Sequence, residues 1–315
     1  MKSLANLIAV FSLVTSCHAA ALSKDEAQKI VDRLHPEAKA TELRELYRDG
    51  KRAYEIEYLF LGEEYEAIVT ADGAVLENYK DTGASGRGLP LIVSLALAQE
   101  SDIYRDQSQT LEVIPVVIGN YGHFWFKGLR HGYSLYSHAA FTFSPMIKIN
   151  PDDGYQVSDA DHDSNLYLGL EDTEVTVEAG TQFLFDINAL QIEINLLADI
   201  TGGHKGALAE LSFSKPQHLG SLLLIPSLTF TYSDKKVANY YFGIADDLAT
   251  PFRPAFATGS LLDTEISATF IWNMMGRWYL IGDLSYKFYD EKLEDSPLLD
   301  STYQASGFIG IGYSF

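Results

Sequence analysis

Three kinds of side-chain chemistry are within reach of this sequence. Catalysis by hydrolysis or acyl transfer needs a nucleophile or an activated water beside a histidine, and His123, His131 and His138 are grouped closely enough to be weighed for it. Ser137 and His138 are neighbours in sequence, however, which on a strand puts them on opposite faces. No nucleophile motif surrounds them, so no catalytic residue is expected. Asp159, Asp161 and Asp163 alternate like the opening of an EF-hand loop, whose oxygen ligands suit calcium. Ser164 then stands where that loop needs glycine, and Leu170 where it needs a bidentate glutamate, so a solvated acidic loop is expected, with no metal site and no cofactor.

The third kind is electrostatic. Glu178, Glu193, Glu210, Glu265 and Asp283 all fall on the polar face of segments whose side chains alternate. If those segments are strands of a barrel, the five acids share one lumen. Two readings stay open: a lumen that favours cations or basic peptides, or a structural network in which the acids pair with Lys148, Lys287 and hydroxyls.

The elements that must position these acids are read from period-two alternation, one face apolar for lipid and the other polar for the lumen. Leu190, Ile192, Ile194 and Leu196 alternate with Gln191, Glu193 and Asn195. Leu228, Phe230 and Tyr232 alternate with Ser227, Thr229, Thr231 and Ser233, and Ile266, Ala268, Phe270 and Trp272 oppose Glu265, Ser267, Thr269 and Asn273. Trp278 to Phe288 and Val175 to Phe185 follow the same rule. Extending it along residues 89–315 gives roughly twelve strands, between ten and fourteen. At the end of the sequence Ile309, Ile311, Tyr313 and Phe315 share one face, an alternation closing on an aromatic residue of the kind that barrel-insertion machinery reads.

Composition points the same way. The chain has 19 Tyr, 17 Phe and 24 Gly against 4 Met and 10 Pro, a usage suited to many strands with aromatic girdles. Past the amino terminus no run of about 20 apolar residues exists to span a bilayer as a helix. A formal charge of -20 excludes nucleic acid as a partner, because phosphates are met by Lys and Arg.

Met1, Lys2 and the apolar run Leu4–Val14 read as a secretory signal peptide over residues 1–19, cleaved after Ala19. Val14-Thr15-Ser16-Cys17 also fits a lipobox, which would leave Cys17 acylated. Cys17 is the only cysteine, so no disulfide can form within the chain. Residues 22–80 hold 9 Lys/Arg and 14 Asp/Glu, a far higher charge density than the 13 and 29 of residues 81–315. A Gly-rich linker, residues 81–88, separates the two. In the first part Ser23 and Glu26 form a capping box ahead of Ala27, Ile30, Val31 and Leu34 at helical spacing, and short alternating strands follow over Glu42–Tyr47, Tyr54–Tyr58, Tyr65–Thr70 and Val75–Tyr79. The fold class is an all-β antiparallel transmembrane barrel preceded by a small α+β domain.

Two resemblances follow from these residues. The opening Ser-Lys-Asp-Glu-Ala, the strand Tyr54–Phe60, Glu64–Val69 and Ala71–Leu76 resemble the PepSY family, which implies a periplasmic domain that binds peptides or restrains a protease, or a plain plug or spacer. Residues 89–315 resemble the MipA/OmpV family of outer-membrane proteins through Leu111–Val116, Leu168-Gly169-Leu170, Asn239–Ile244, Asp295–Asp300 and the Gly312–Phe315 tail. The acidic motif usual after the first strand survives only in part, in Glu100–Tyr104, and a fused PepSY domain departs from the family's usual layout. That resemblance implies a non-enzymatic envelope scaffold among outer-membrane lipids, linking a murein transglycosylase with a peptidoglycan synthase. The alternatives are a small cation-leaning pore or PepSY-mediated control of an envelope protease.

Overall fold

The structure, a computed structural model, describes residues 22–48, 51–60, 63–80, 89–107, 111–138, 141–151, 154–157, 160, 165–187, 190–219 and 221–314. Cys17, Phe315 and the Asp159, Asp161 and Asp163 triplet lie outside these residues. The chain falls into two compact units divided after Lys80.

The first unit starts with helix α1, Lys24–Leu34. Ser23 caps it reciprocally: its Oγ accepts from Glu26 N–H at 3.3 Å while its own N–H donates to Glu26 Oε2 at 2.9 Å. Strands β1 (Lys39–Arg48), β2 (Lys51–Phe60), β3 (Glu63–Thr70) and β4 (Val75–Lys80) form a sheet in that order. Ala27, Ile30 and Val31 of the helix pack with Tyr54, Ile56, Tyr58, Ala67 and Val69 in one apolar core. On the opposite sheet face Arg44 reaches Glu55 at 3.5 Å and Glu57 at 3.3 Å.

The second unit is a closed antiparallel barrel. Its strands are β5 (Ile92–Glu100), β6 (Glu112–Tyr121), β7 (Phe124–Lys127), β8 (Arg130–Tyr133), β9 (Tyr136–His138), β10 (Phe141–Asn150), β11 (Thr176–Ile187), β12 (Leu190–Asp199), β13 (Ala207–Ser214), β14 (Gln217–Leu219), β15 (Leu222–Ser233), β16 (Leu261–Met275), β17 (Trp278–Phe288) and β18 (Tyr303–Ser314). Each pairs with the next around the wall, and the ring closes where β18 meets β5, Ile309 opposite Leu97. Strand β9 continues the line of β8 along β10, and β14 continues β13 along β15. The wall therefore has twelve positions, an even number within the bacterial range.

Two-residue connections join β6 to β7, β11 to β12, β14 to β15 and β16 to β17 at one rim, while long segments join the strands at the other. Among the described residues no helix is long and apolar enough to cross a membrane; the barrel would cross with its strands. Its outer face carries Leu95, Val113, Ile266, Leu284, Ile309 and Ile311, all half or more exposed, the apolar belt such barrels turn to lipid. Tyr313 stacks edge-on against Trp278 at the short-turn rim, and Tyr286, Phe288 and Tyr303 gather at the long-loop rim.

The long segments are not loose. Helix α2, Lys235–Phe242, capped by Asp234, joins Ile103, Tyr104, Tyr155, Leu166, Tyr167, Leu293 and Leu298 in an apolar core that reaches down to Trp125 and Met146 inside the wall. Arg253, 1% exposed, ties this cap together by donating to the carbonyls of Leu166, Leu168 and Leu248.

Candidate functional site

The lumen is built by the inward positions of the wall. One register row runs Ser144, Gln182, Asn195, Glu210, Thr231, Asp263 across six successive wall strands from β10 to β16, each residue opposite the next. Alternation along each strand then puts Glu178, Glu193 and Lys148 on the same inner face. Between β6 and β10 the wall is different. Strands β7 and β8 form a hairpin of four residues a side, turning at Gly128 and Leu129, and the two residues that flank the turn are Lys127 and Arg130.

This hairpin delivers two cations to the far side of the lumen. Arg130 Nη1 and Nη2 donate to Glu210 Oε2 and Oε1 at 2.7 and 2.9 Å, the forked geometry that makes guanidinium–carboxylate pairs strong. Lys127 Nζ donates to Glu193 Oε2 at 2.6 Å. Lys148 Nζ reaches Glu210 Oε1 at 3.2 Å and lies 3.9 Å from Glu178 Oε2. Asn195 bridges the acids, donating to Glu193 Oε1 and Glu210 Oε2 at 2.8 and 3.0 Å. Three of the five acids singled out from sequence are thus gathered around three cations.

Glu178 has a further partner that the sequence did not suggest. Gly206 N–H donates to His204 Nδ1 at 3.0 Å, so the ring proton sits on Nε2 and is donated to Glu178 Oε1 at 3.1 Å. Asn150 donates to the same oxygen at 2.8 Å. Both His204 and Glu178 are fully buried beneath α2, whose Tyr241 lies beside Thr176.

Glu265 and Asp283 are elsewhere. They belong to the β16–β17 wall, where Glu265 stands opposite Lys287, and Asp283 accepts from Thr269 Oγ1 at 2.7 Å. Asp263, which the sequence reading passed over, joins them and lies 3.6 Å from Lys287 Nζ. Of the histidines weighed for catalysis, His123 is in an exposed turn, and His131 sits edge-on to Phe126 on the outer face. Ser137 shares a hydrogen bond with Thr142, and the His138 side chain lies outside the described residues.

Much of the rest of the lumen is apolar. Ile92, Ala96, Val116, Ile118, Leu223, Ile271 and Ile281 form a buried cluster on the β5, β6 and β15–β17 side. Trp125 fills the space above Gly132 so closely that a Cβ there would lie 2.3 Å from its ring. The inner wall therefore carries an apolar cluster on one side and a charged sector on the other.

Known proteins provide a frame for this arrangement. The MltA-interacting protein of Escherichia coli (strain K12) is 23% identical over 217 residues, covering 67% of this chain and 85% of its own. Outer membrane protein OmpV of Vibrio cholerae is 24% identical over 156 residues, 49% of this chain and 61% of its own. Among solved structures, an anion-selective porin from Comamonas acidovorans covers 85% of this chain and 91% of its own at 10% identity, with a TM-score of 0.26. The family model for MltA-interacting protein MipA matches residues 93–315, the whole barrel from its first strand. The chain belongs to the MipA family.

Proposed function

We propose that this protein is a non-enzymatic outer-membrane scaffold whose barrel anchors it and whose first unit, residues 22–80, is a PepSY-like peptide-binding arm on the periplasmic side. The observation that supports the reading is the set of ion pairs strung across the lumen beneath an apolar cap. Lys127, Arg130 and Lys148 are each bonded to a carboxylate, and the long segments pack into an apolar cap. A barrel crossed by its own ion pairs and capped by its own segments suits display and docking better than transport. Short turns on the periplasmic side are the rule for outer-membrane barrels, and β5 starts at that rim, opposite Ser314. A murein transglycosylase and a peptidoglycan synthase are the partners this reading proposes, the first because a relative covering most of the barrel is named for interacting with MltA.

The test is capture from solubilised envelopes with the full chain and with a chain lacking residues 22–80. Recovery of a murein transglycosylase by the full chain alone supports the arm; equal recovery by both moves the interaction to the barrel. A second reading, a small cation-leaning pore, draws on the β16–β17 wall, where the acids Asp263, Glu265 and Asp283 outnumber the one lysine of that wall, Lys287. Conductance of the purified protein in planar bilayers decides it, and a silent barrel removes it.

A further inference from the structure

The outer face of the barrel is interrupted near the long-loop rim. Ala179, Ala198 and Ala207 lie side by side across β11, β12 and β13, and in the next row Leu196, Ala209 and Tyr232 are register partners. The alanines form the floor of a groove of about 380 Å³, with Leu196 and Tyr232 as its walls. Elsewhere this rim carries large residues on the lipid side, Leu262, Phe288 and Tyr303 among them, so the aromatic girdle is broken where the groove opens.

The charge above the groove runs against the rest of the chain. In a protein of formal charge -20, the cationic side chains described in the long segments are Arg105, Lys205, Lys235, Lys236, Arg253 and Lys292. Arg105 pairs with Asp300, Lys292 with Asp290, and Arg253 is buried on carbonyls. The other three belong to the segments that border the groove. Lys235 and Lys236 follow Asp234, which lines it; Lys205 is two residues from Ala207; and Lys236 Nζ bonds the Lys205 carbonyl at 3.1 Å. The nearby carboxylates are occupied by backbone donors: Asp234 accepts from Lys236 and Val237 N–H, and Asp199 from Thr201, Gly202 and Lys205 N–H.

We infer that this groove holds an acyl chain of a phosphorylated, multiply acylated glycolipid, with Lys205, Lys235 and Lys236 on its phosphate. The apolar floor faces the hydrocarbon and the ammonium groups stand at headgroup height, so one molecule satisfies both. The inference is independent of the scaffold role and needs only that the long-loop rim face the outer leaflet.

The test uses the full chain in neutral detergent micelles, with lipid A and chemically dephosphorylated lipid A as probes and native mass spectrometry as readout. The wild-type chain is expected to retain one lipid A and to prefer it over the dephosphorylated form. K205Q/K235Q/K236Q should lose that preference, roughly fivefold per lysine removed, and A198L/A207L, which fills the floor, should release both probes. Equal retention of the two probes by wild type, no change in the lysine variant, or a second copy of the chain bound in place of lipid overturns the inference. The lysine variant alters only exposed side chains, so it decides the matter even if the leucine variant fails to fold.

Discussion

Arg130 and Glu210 meet across the barrel interior in a two-bond fork, although β8 and β13 are separated in the wall by β10, β11 and β12. The pair is a strut, bracing a short hairpin against the opposite wall. Glu210 is 2% exposed at its side chain and Arg130 31%, so removing the acid leaves a cation that water reaches only in part. Glu210→Ala should destabilise the refolded barrel by about 3 kcal/mol, whereas R130M/E210L should recover most of the loss. Urea unfolding in lipid vesicles measures both, and a double variant no better than the single would show that the charges themselves are needed.

The cap depends on Arg253. Replacing it with Met leaves the carbonyls of Leu166, Leu168 and Leu248 without their donor, at about 1 kcal/mol each. Limited proteolysis of R253M should reveal new cleavage within residues 154–171 and 244–256 while the barrel stays intact. An unchanged digest would mean the apolar core holds the cap unaided.

Gly132 gives Trp125 its place. Gly132→Ala should cost about 1–3 kcal/mol through overpacking and shift the Trp emission, with Leu223→Val as a comparison elsewhere in the lumen. A variant with wild-type stability would show that the ring can move aside.

In the first unit, burial, and after it the charge of Glu66, push the Glu55 carboxyl up to about 7 despite the pull of Arg44. With the folded value above the unfolded one, the folded state binds the extra proton between pH 4.5 and 7, so stability falls as pH rises through that window. The difference is roughly 3 kcal/mol. Hydrogen exchange of β2 amides in the full chain, corrected for intrinsic rates, should show weaker protection at pH 8 than at pH 5, and Glu55→Gln should flatten the dependence. Equal protection in the parent chain at both pH values would refute it.

The barrel was legible because its lipid face is regular. Leu190, Ile192, Ile194 and Leu196 alternate cleanly, and that alone puts Glu193 inside. The α1 cap was equally plain in Ser23 and Glu26. What escaped the sequence has physical causes. Strands β7 and β8 are too short to show a period, so Lys127 and Arg130 gave no sign of being inside. Where the lumen is apolar, as at Ile271 and Ile281, both strand faces are hydrophobic and alternation fades. Helix α2 was missed although Asp234 is a good cap with Val237, Ala238, Tyr241 and Phe242 at helical spacing, because it follows a long strand with no glycine or proline between.

The short hairpin also bears on how the barrel sits in a bilayer. Strand β6 pairs with β7 only from Ile118 to Tyr121, so from Glu112 to Val116 its other edge has no ladder partner among the described strands. Pro115, which has no N–H to leave unmet, falls on this stretch. Hydrocarbon does not tolerate a bare strand edge. Val113 of the apolar belt lies on this same stretch, so a bilayer that wets it has to thin or dip along that flank, or let the barrel lean away from it.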